Sequence, residues 1–256
     1  MLERVVLGQV ETHRRRIAAA IRALVAAGAL DYVYDHGCSF IIPSFRGPVR
    51  ISRRVILKPP ECTDRSAEGR IVINLRPGAA FGSGAHPSTR TALRCLDDAL
   101  RRRMLAKGAT TAGMLDVGTG SGVLLIAALR MGLEQAVGID TDACAVAEAR
   151  ANLQCNGLSA CATISDRDLA TIHGRFGLIA ANLRYPSLIR YARTLADRLV
   201  WGGVMVVAGI QTGEFAAVRT AYDACGLTVL FKRTDSGWVG AACRKNAAAA
   251  SRSGGV

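Results

Sequence analysis

The chain has 256 residues, which is enough for one large domain or for one domain with an appendage. Half of the residues are hydrophobic, yet no run of about 18 uncharged apolar residues occurs, so no membrane span is expected. The formal net charge of +13 favours contact with RNA or an RNA-rich particle, although an arginine-rich solvated surface explains it equally well.

The first 76 residues are predicted to form a small α+β region that could dock a substrate. Ile17 and Ile21 recur at helical spacing beside a basic cluster at 14–16, and Gly28 is expected to end this helix. The predicted elements are a helix at 10–27, strands at 31–34, 38–42, 49–57 and 71–75, and a polar loop at 61–70.

From about residue 88 the pattern alternates between helix and strand, which predicts a mainly parallel sheet covered on both faces. The predicted helices lie at 88–103, 121–131, 142–155, 186–199 and 214–225, and the predicted strands at 113–117, 136–140, 161–165, 176–181, 204–208, 227–233 and 237–243. The short turn at 234–237 cannot hold a parallel crossover, so the last two strands are expected to form an antiparallel hairpin. Residues 77–246 are thus predicted to form one domain, followed by a disordered tail at 247–256.

A glycine-rich turn inside the segment 114–126 predicts a cofactor site. An apolar strand pattern there is followed by Gly118, Gly120 and Gly122 and then by an apolar helix pattern. Asp140 lies 22 residues after Gly118, at the end of the next predicted strand, where a carboxylate can accept two ribose hydroxyls. The combination indicates an adenosine-containing ligand, while a tight strand–helix turn followed by an exposed acid is the structural alternative.

Cysteine usage predicts a reducing compartment. Eight cysteines are scattered along the chain without a Cys-x-x-Cys pair, and the chain has only four histidines. We therefore expect small apolar core cysteines, with neither a zinc site nor a disulfide framework, in a cytoplasmic protein.

The segment 77–89 reads PGAAFGSGAHPST and resembles the PGxAFGTGxHPTT loop of the ribosomal protein L11 lysine methyltransferase family. The glycine turn, Asp140 and Asn182 follow in the family's order, and the similarity runs from about residue 45 to 245. The resemblance implies a class I methyltransferase fold, which is a Rossmann-like α/β fold with a doubly wound seven-stranded sheet. It further implies methyl transfer from S-adenosylmethionine to a lysine of a ribosomal or other translation-related protein.

The resemblance also implies which residues form the site. The expected cofactor-binding residues are Phe81, Thr89, Gly118, Gly120, Gly122, Asp140 and Asn182. Asn182 is expected near the reacting methyl group and is the predicted catalytic residue, and no metal is expected. Asp166 is a candidate for the adenine amino group, although a solvated loop acid is the favoured interpretation. His86 is more simply a structural residue of its loop than a catalytic one.

Three departures from the family pattern concern the methyl acceptor. The large N-terminal domain that docks the ribosomal protein in the family is not recognisable, and about 45 residues with a basic helix stand in its place. Ser83 and Ala85 replace threonines of the loop, and Arg184 and Tyr185 follow Asn182 where the family has smaller or apolar residues. An RNA or small-molecule methyltransferase, and a non-catalytic cofactor- or RNA-binding module, therefore stay open as alternatives.

Overall fold

The computed structural model describes residues 2–35, 38–44, 47–62, 69–106 and 108–246. Its helices are α1 (Leu2–Ala26), α2 (Pro87–Arg101), α3 (Val123–Arg130), α4 (Ala143–Cys155), α5 (Tyr185–Arg198) and α6 (Phe215–Asp223). Its strands are β1 (Leu30–Asp35), β2 (Cys38–Pro43), β3 (Val49–Arg50), β4 (Val55–Lys58), β5 (Ile71–Asn74), β6 (Met114–Val117), β7 (Ala136–Ile139), β8 (Ala162–Ser165), β9 (Phe176–Asn182), β10 (Leu199–Gln211), β11 (Leu227–Asp235) and β12 (Trp238–Lys245).

A seven-stranded sheet in the order β11-β12-β10-β9-β6-β7-β8 forms the centre of the fold. The pairs from β10 to β8 are parallel, whereas β12 lies antiparallel to both β10 and β11. The predicted α/β fold and its terminal antiparallel hairpin are therefore confirmed. Because β6, β7, β8 and β9 run in one direction, their carboxyl ends meet at one edge, where ligands bind in open α/β sheets.

The sheet is covered on both faces, as doubly wound sheets are. Met114, Leu178 and Val206 lie in an apolar cluster with α2 and α3. Their chain neighbours Leu115 and Ile179 lie in a second cluster with α5 and α6. Successive residues of a strand point to opposite faces, so continuous apolar runs of this kind are needed to fill both layers.

A separate three-stranded sheet of β3, β4 and β5 packs on the α2–α3 layer through Val55, Leu57 and Ile73. The prediction of one strand at 49–57 is wrong, because a turn divides it. The Ser52 hydroxyl accepts hydrogen bonds from the backbone N–H groups of Arg54 and Val55, both at 3.1 Å. Such local side-chain hydrogen bonds compete with strand pairing and favour a turn.

The two strands predicted at 31–34 and 38–42 are confirmed as the antiparallel hairpin β1–β2. Helix α1 begins well before the predicted residue 10, and β10 extends the strand predicted at 204–208 in both directions. The division at residue 76 stays a prediction, and the tail at 247–256 lies outside the described residues. Within the described ranges, no helix is both long enough and apolar enough to cross a membrane.

Candidate active site

A cleft of about 460 Å³ opens at the carboxyl ends of β6, β7 and β9. Five of the predicted site residues line it: Phe81, Gly118, Gly120, Asp140 and Asn182. They come from four distant parts of the chain. The parallel sheet brings the glycines, Asp140 and Asn182 together at its strand ends, and a hydrogen bond from the Ser121 N–H holds the Phe81 carbonyl beside them. The cleft lies where the glycine turn and the acid after β7 predict an adenosine-containing ligand.

The glycine turn is shaped as much by the protein as by any ligand. Gly120 adopts φ 54°, and a Cβ there would collide with the backbone oxygen of Phe81. That oxygen accepts a hydrogen bond of 2.9 Å from the Ser121 N–H. A Cβ on Gly118 would collide with the Leu183 side chain. The glycines therefore let the Phe81 loop and the chain after β9 close over the turn, and they place no side chain between the backbone and the cleft.

Asp140 is half-buried at the end of β7 and is held by two backbone amides. Its Oδ2 accepts from Gly120 N–H at 2.9 Å, and its Oδ1 accepts from Asp142 N–H at 3.1 Å. Each carboxylate oxygen can accept a second hydrogen bond. The side chain is thus oriented and keeps the capacity to bind a pair of hydroxyl groups, so it fits the diol of a ribose.

Asp116 lies beneath the turn and is almost fully buried, at 1% exposure. Burial raises the pKa of this carboxyl to about 7, against the opposing effect of a hydrogen bond from the Thr119 hydroxyl. That hydroxyl donates to Asp116 Oδ2 at 2.8 Å. Asp116 therefore supports the turn from inside the core and does not line the cleft.

A second cavity of about 520 Å³ adjoins the cleft and shares four lining residues with it: Phe81, Asn182, Leu183 and Arg184. Its remaining walls include the aromatic side chains of Tyr185 and Trp238 and the carboxylate of Glu214. Aromatic faces can pack against an alkyl chain, and a carboxylate can accept a hydrogen bond from an amine. The cavity, which Arg184 also lines, is thus suited to an alkylamine beside the first ligand.

Asn182 stands between the two cavities. It is the last residue of β9, and its Oδ1 is buried without a hydrogen-bond partner among the described residues. An unpartnered buried acceptor of this kind costs free energy unless a donor reaches it. A donor placed in either cavity, such as an amine, would satisfy it.

His86 has contacts of a structural kind. Its Nδ1 accepts a hydrogen bond of 3.2 Å from Ser88 N–H and so caps the start of α2. Its ring centroid lies 4.6 Å from that of Trp238 and 5.1 Å from that of Phe81. Burial, and secondarily the Arg90 charge, lower the pKa of His86. The capped nitrogen is not available as a base, in agreement with a structural role in the loop.

Three candidates from the sequence do not line either cavity. Thr89 is fully buried in α2 with its Oγ1 unpartnered among the described residues, and Gly122 faces Ala149 at the start of α3. Asp166 is exposed, while the nearby Asp168 lines the cleft. A role for Thr89 or Gly122 in cofactor binding stays a prediction.

Several residues of the site are not evident from the sequence alone. Ser187 and Tyr191 line the cleft from α5, at helical spacing from Arg184, and that spacing is a signal that could have found them. Glu214 and Trp238 reach the second cavity from the end of the chain. They carry no motif: β10 brings Glu214 near Asn182 because it pairs with β9, and the antiparallel insertion of β12 places Trp238 beside the end of β10.

The comparisons with known proteins agree on one family. The family model of ribosomal protein L11 methyltransferase (PrmA) matches residues 44–246. A ribosomal protein L11 methyltransferase of Geotalea uraniireducens is 37% identical over 195 residues, covering 75% of this chain and 62% of that protein. The corresponding protein of Geobacter metallireducens is 36% identical over 191 residues, covering 75% and 60%. The chain thus spans about three-fifths of the length of these relatives.

Among solved structures, the ribosomal protein L11 methylase of Lactobacillus delbrueckii subsp. bulgaricus superposes with a TM-score of 0.68 at 25% identity. The match covers 78% of this chain and all of that one. An RNA methyltransferase candidate of Pyrococcus horikoshii superposes with a TM-score of 0.54 at 14% identity, covering 62% and 85%. This second likeness concerns the fold alone.

Proposed function

The chain belongs to the ribosomal protein L11 methyltransferase family, and we propose that it transfers methyl groups from S-adenosylmethionine to lysine side chains of a ribosomal protein. The observation that carries the proposal is the position of Asn182 on the lining of both cavities. A donor in the cleft and an acceptor in the second cavity would meet at this residue.

The cleft provides the groups that an adenosine-containing methyl donor requires. Asp140 can accept the two ribose hydroxyls, and Gly118 and Gly120 line the cleft without a side chain that would hold the ligand away from the backbone. S-adenosylmethionine supplies a methyl group on a positively charged sulfur, which is already an activated leaving group. The protein has only to hold the acceptor nitrogen, the methyl carbon and the sulfur in line, at a separation near 3 Å between the reacting atoms.

A lysine acceptor must lose its proton before it attacks. With a free pKa of about 10.4, deprotonation at pH 7 costs about 4.6 kcal/mol. Transfer into a cavity walled by Tyr185, Trp238 and Phe81 disfavours the charged form and lowers that cost. Asn182 Oδ1 can then accept a hydrogen bond from the amine and aim its lone pair toward the cleft.

Methyl transfer is tested with labelled S-adenosylmethionine and a purified L11-type ribosomal protein, followed by mass spectrometry of the product. We expect label on lysine, and we expect Asn182→Ala to lose most of the turnover while binding the cofactor within a few-fold of the parent. Calorimetry measures that binding separately. A protein that binds S-adenosylmethionine but leaves every lysine of the ribosomal protein unlabelled would contradict the proposed acceptor.

We place this reaction in the cytoplasm, beside the RNA-rich particle that carries ribosomal proteins. Cys95 and Cys243 are thiols buried in the hydrophobic core, which supports a reducing compartment. The net charge of +13 supports contact with RNA. Fractionation of cells that contain the tagged protein checks whether the protein is in the cytoplasm and whether it sediments with RNA-rich particles.

A further inference from the structure

One face of the protein concentrates its positive charge. It is formed by the β3–β4 turn, the outer side of α2 and the β11–β12 hairpin, and we call it the arginine face. Its arginines are Arg50, Arg53, Arg54, Arg90, Arg94, Arg101, Arg102, Arg103 and Arg233, and its acids are Asp97, Asp98 and Asp235. The excess of six positive charges is nearly half of the formal net charge of the chain.

Polar contacts join the three segments into one continuous surface. Arg94 donates to the Ile51 carbonyl in the β3–β4 turn at 2.8 Å and to the Asp235 carboxylate in the hairpin at 3.1 Å. Ser52 of the same turn donates to Asp97 of α2 at 2.9 Å. The arginine face therefore extends along the whole of α2, which is about 22 Å long at 1.5 Å per residue.

The acids of this face lie below its arginines. The Asp98 side chain is 13% exposed, whereas Arg101, Arg102 and Arg233, which contact it, are 43–50% exposed. Arg102 and Arg233 also lie over the Phe231 ring, each 5.7 Å from its centroid. The buried carboxylate and the ring thus gather these guanidinium groups at the surface, and a partner meets the exposed arginines before the acid.

We propose that the arginine face binds the phosphate backbone of a nucleic acid. Guanidinium groups match phosphate oxygens in geometry as well as in charge, and the cations named for this face are all arginines. The Phe231 ring is already covered by two arginines, and aromatic residues make up 5% of the chain, so the contact reads phosphates and not bases. If the acceptor is a ribosomal protein, as proposed above, the expected nucleic acid is RNA.

The face lies beside the second cavity. Asp235, which pairs with Arg90 and Arg94, is three residues before Trp238 of the cavity wall, and α2 begins next to His86 of the same wall. RNA on the arginine face would therefore hold a ribonucleoprotein with its protein part near the acceptor cavity. This consequence rests on the proposed function, whereas the binding of nucleic acid does not.

The test is fluorescence anisotropy with a labelled single-stranded RNA of roughly 30 nucleotides, over a series of salt concentrations and without cofactor or acceptor. The first variant is Arg53→Gln/Arg102→Gln/Arg103→Gln, which removes three exposed charges of the arginine face. The matched control, Arg190→Gln/Arg193→Gln/Arg219→Gln, removes three exposed charges from α5 and α6 on the opposite face of the sheet. A third variant with lysine at positions 53, 102 and 103 keeps the charge.

We expect the first variant to bind RNA at least about tenfold more weakly than the parent. The plot of log K against log salt should become less steep by about 2, because each lost phosphate contact removes roughly 0.7 from the magnitude of the slope. The control and the lysine variant should keep that slope. Equal weakening by the first variant and the control would overturn the proposal, since it would show dependence on net charge alone. No binding by the parent protein would overturn it as well.

Competitors identify the partner. DNA of the same sequence should compete no better than RNA, and stronger competition by DNA would overturn the assignment to RNA. Polyglutamate of equal charge should compete poorly, and competition equal to that of RNA would show that the face binds acidic protein instead. Thermal unfolding and cofactor binding, measured on every variant, separate a loss of RNA binding from a loss of the folded enzyme.

Discussion

Replacement of the buried Asp116 by asparagine should change how the stability of this protein depends on pH. Burial raises the pKa of Asp116 from 3.8 to about 7 in the folded protein. Between these two pKa values the unfolded chain has already lost the proton that the folded chain keeps. The contribution of Asp116 to the free energy of unfolding therefore falls as the pH rises from about 4 to about 7, and it is smallest above pH 7.

The size of the effect follows from the two pKa values. One pKa unit corresponds to about 1.4 kcal/mol, so the full window is worth about 4 kcal/mol, of which about 3 kcal/mol falls between pH 5 and pH 8. Asp116→Asn removes this titration and keeps an oxygen for the Thr119 hydroxyl. Because Asp116 Oδ1 has no partner among the described residues, the new amide N–H₂ costs about 1–3 kcal/mol at every pH.

Urea unfolding of both proteins, followed by tryptophan fluorescence at pH 5, 6, 7 and 8, measures the difference. We expect the stability of the variant relative to the parent to rise by about 3 kcal/mol from pH 5 to pH 8. The cost of the amide is the same at every pH, and the other titrating groups are the same in both proteins, so neither contributes to this change. A difference between the two proteins that does not change with pH would refute a raised pKa at Asp116.

Three further predictions concern the site. Asp140→Ala should weaken S-adenosylmethionine binding at least about tenfold in calorimetry, since hydrogen bonds to a charged group contribute about 1.5–3 kcal/mol each. As the control, Asp166→Ala should leave binding unchanged, because Asp166 does not line the cleft. Gly120→Ala should lower the free energy of unfolding by more than Gly132→Ala does. Both sites have positive φ, but only a Cβ at 120 would meet backbone, the Phe81 carbonyl oxygen, so equal losses would contradict that close approach. Trp238→Ala should raise the KM for the protein acceptor and leave the affinity for the cofactor unchanged, and a loss of cofactor affinity instead would argue against a separate acceptor cavity.

The helices and strands of the C-terminal two-thirds are local properties, and the sequence predicts them well. The Asp142 cap of α4 and the antiparallel hairpin after residue 226 follow from side-chain chemistry and turn length, and both are present. The turn within 49–57 is harder to predict. It depends on the Ser52 hydroxyl, whose hydrogen bonds to two amides outweigh the strand preference of the residues around it.

By itself, the sequence determined the parallel sheet, the glycine turn and the acid at Asp140, because periodicity and spacing along the chain encode them. Only the tertiary structure decided that Asn182 is shared by two cavities and that Glu214 and Trp238 complete the second one. It also decided that the arginines of the β3–β4 turn, α2 and β11 form one face. These groups are far apart in the chain, and their proximity follows from strand order and helix packing, which local sequence patterns do not encode.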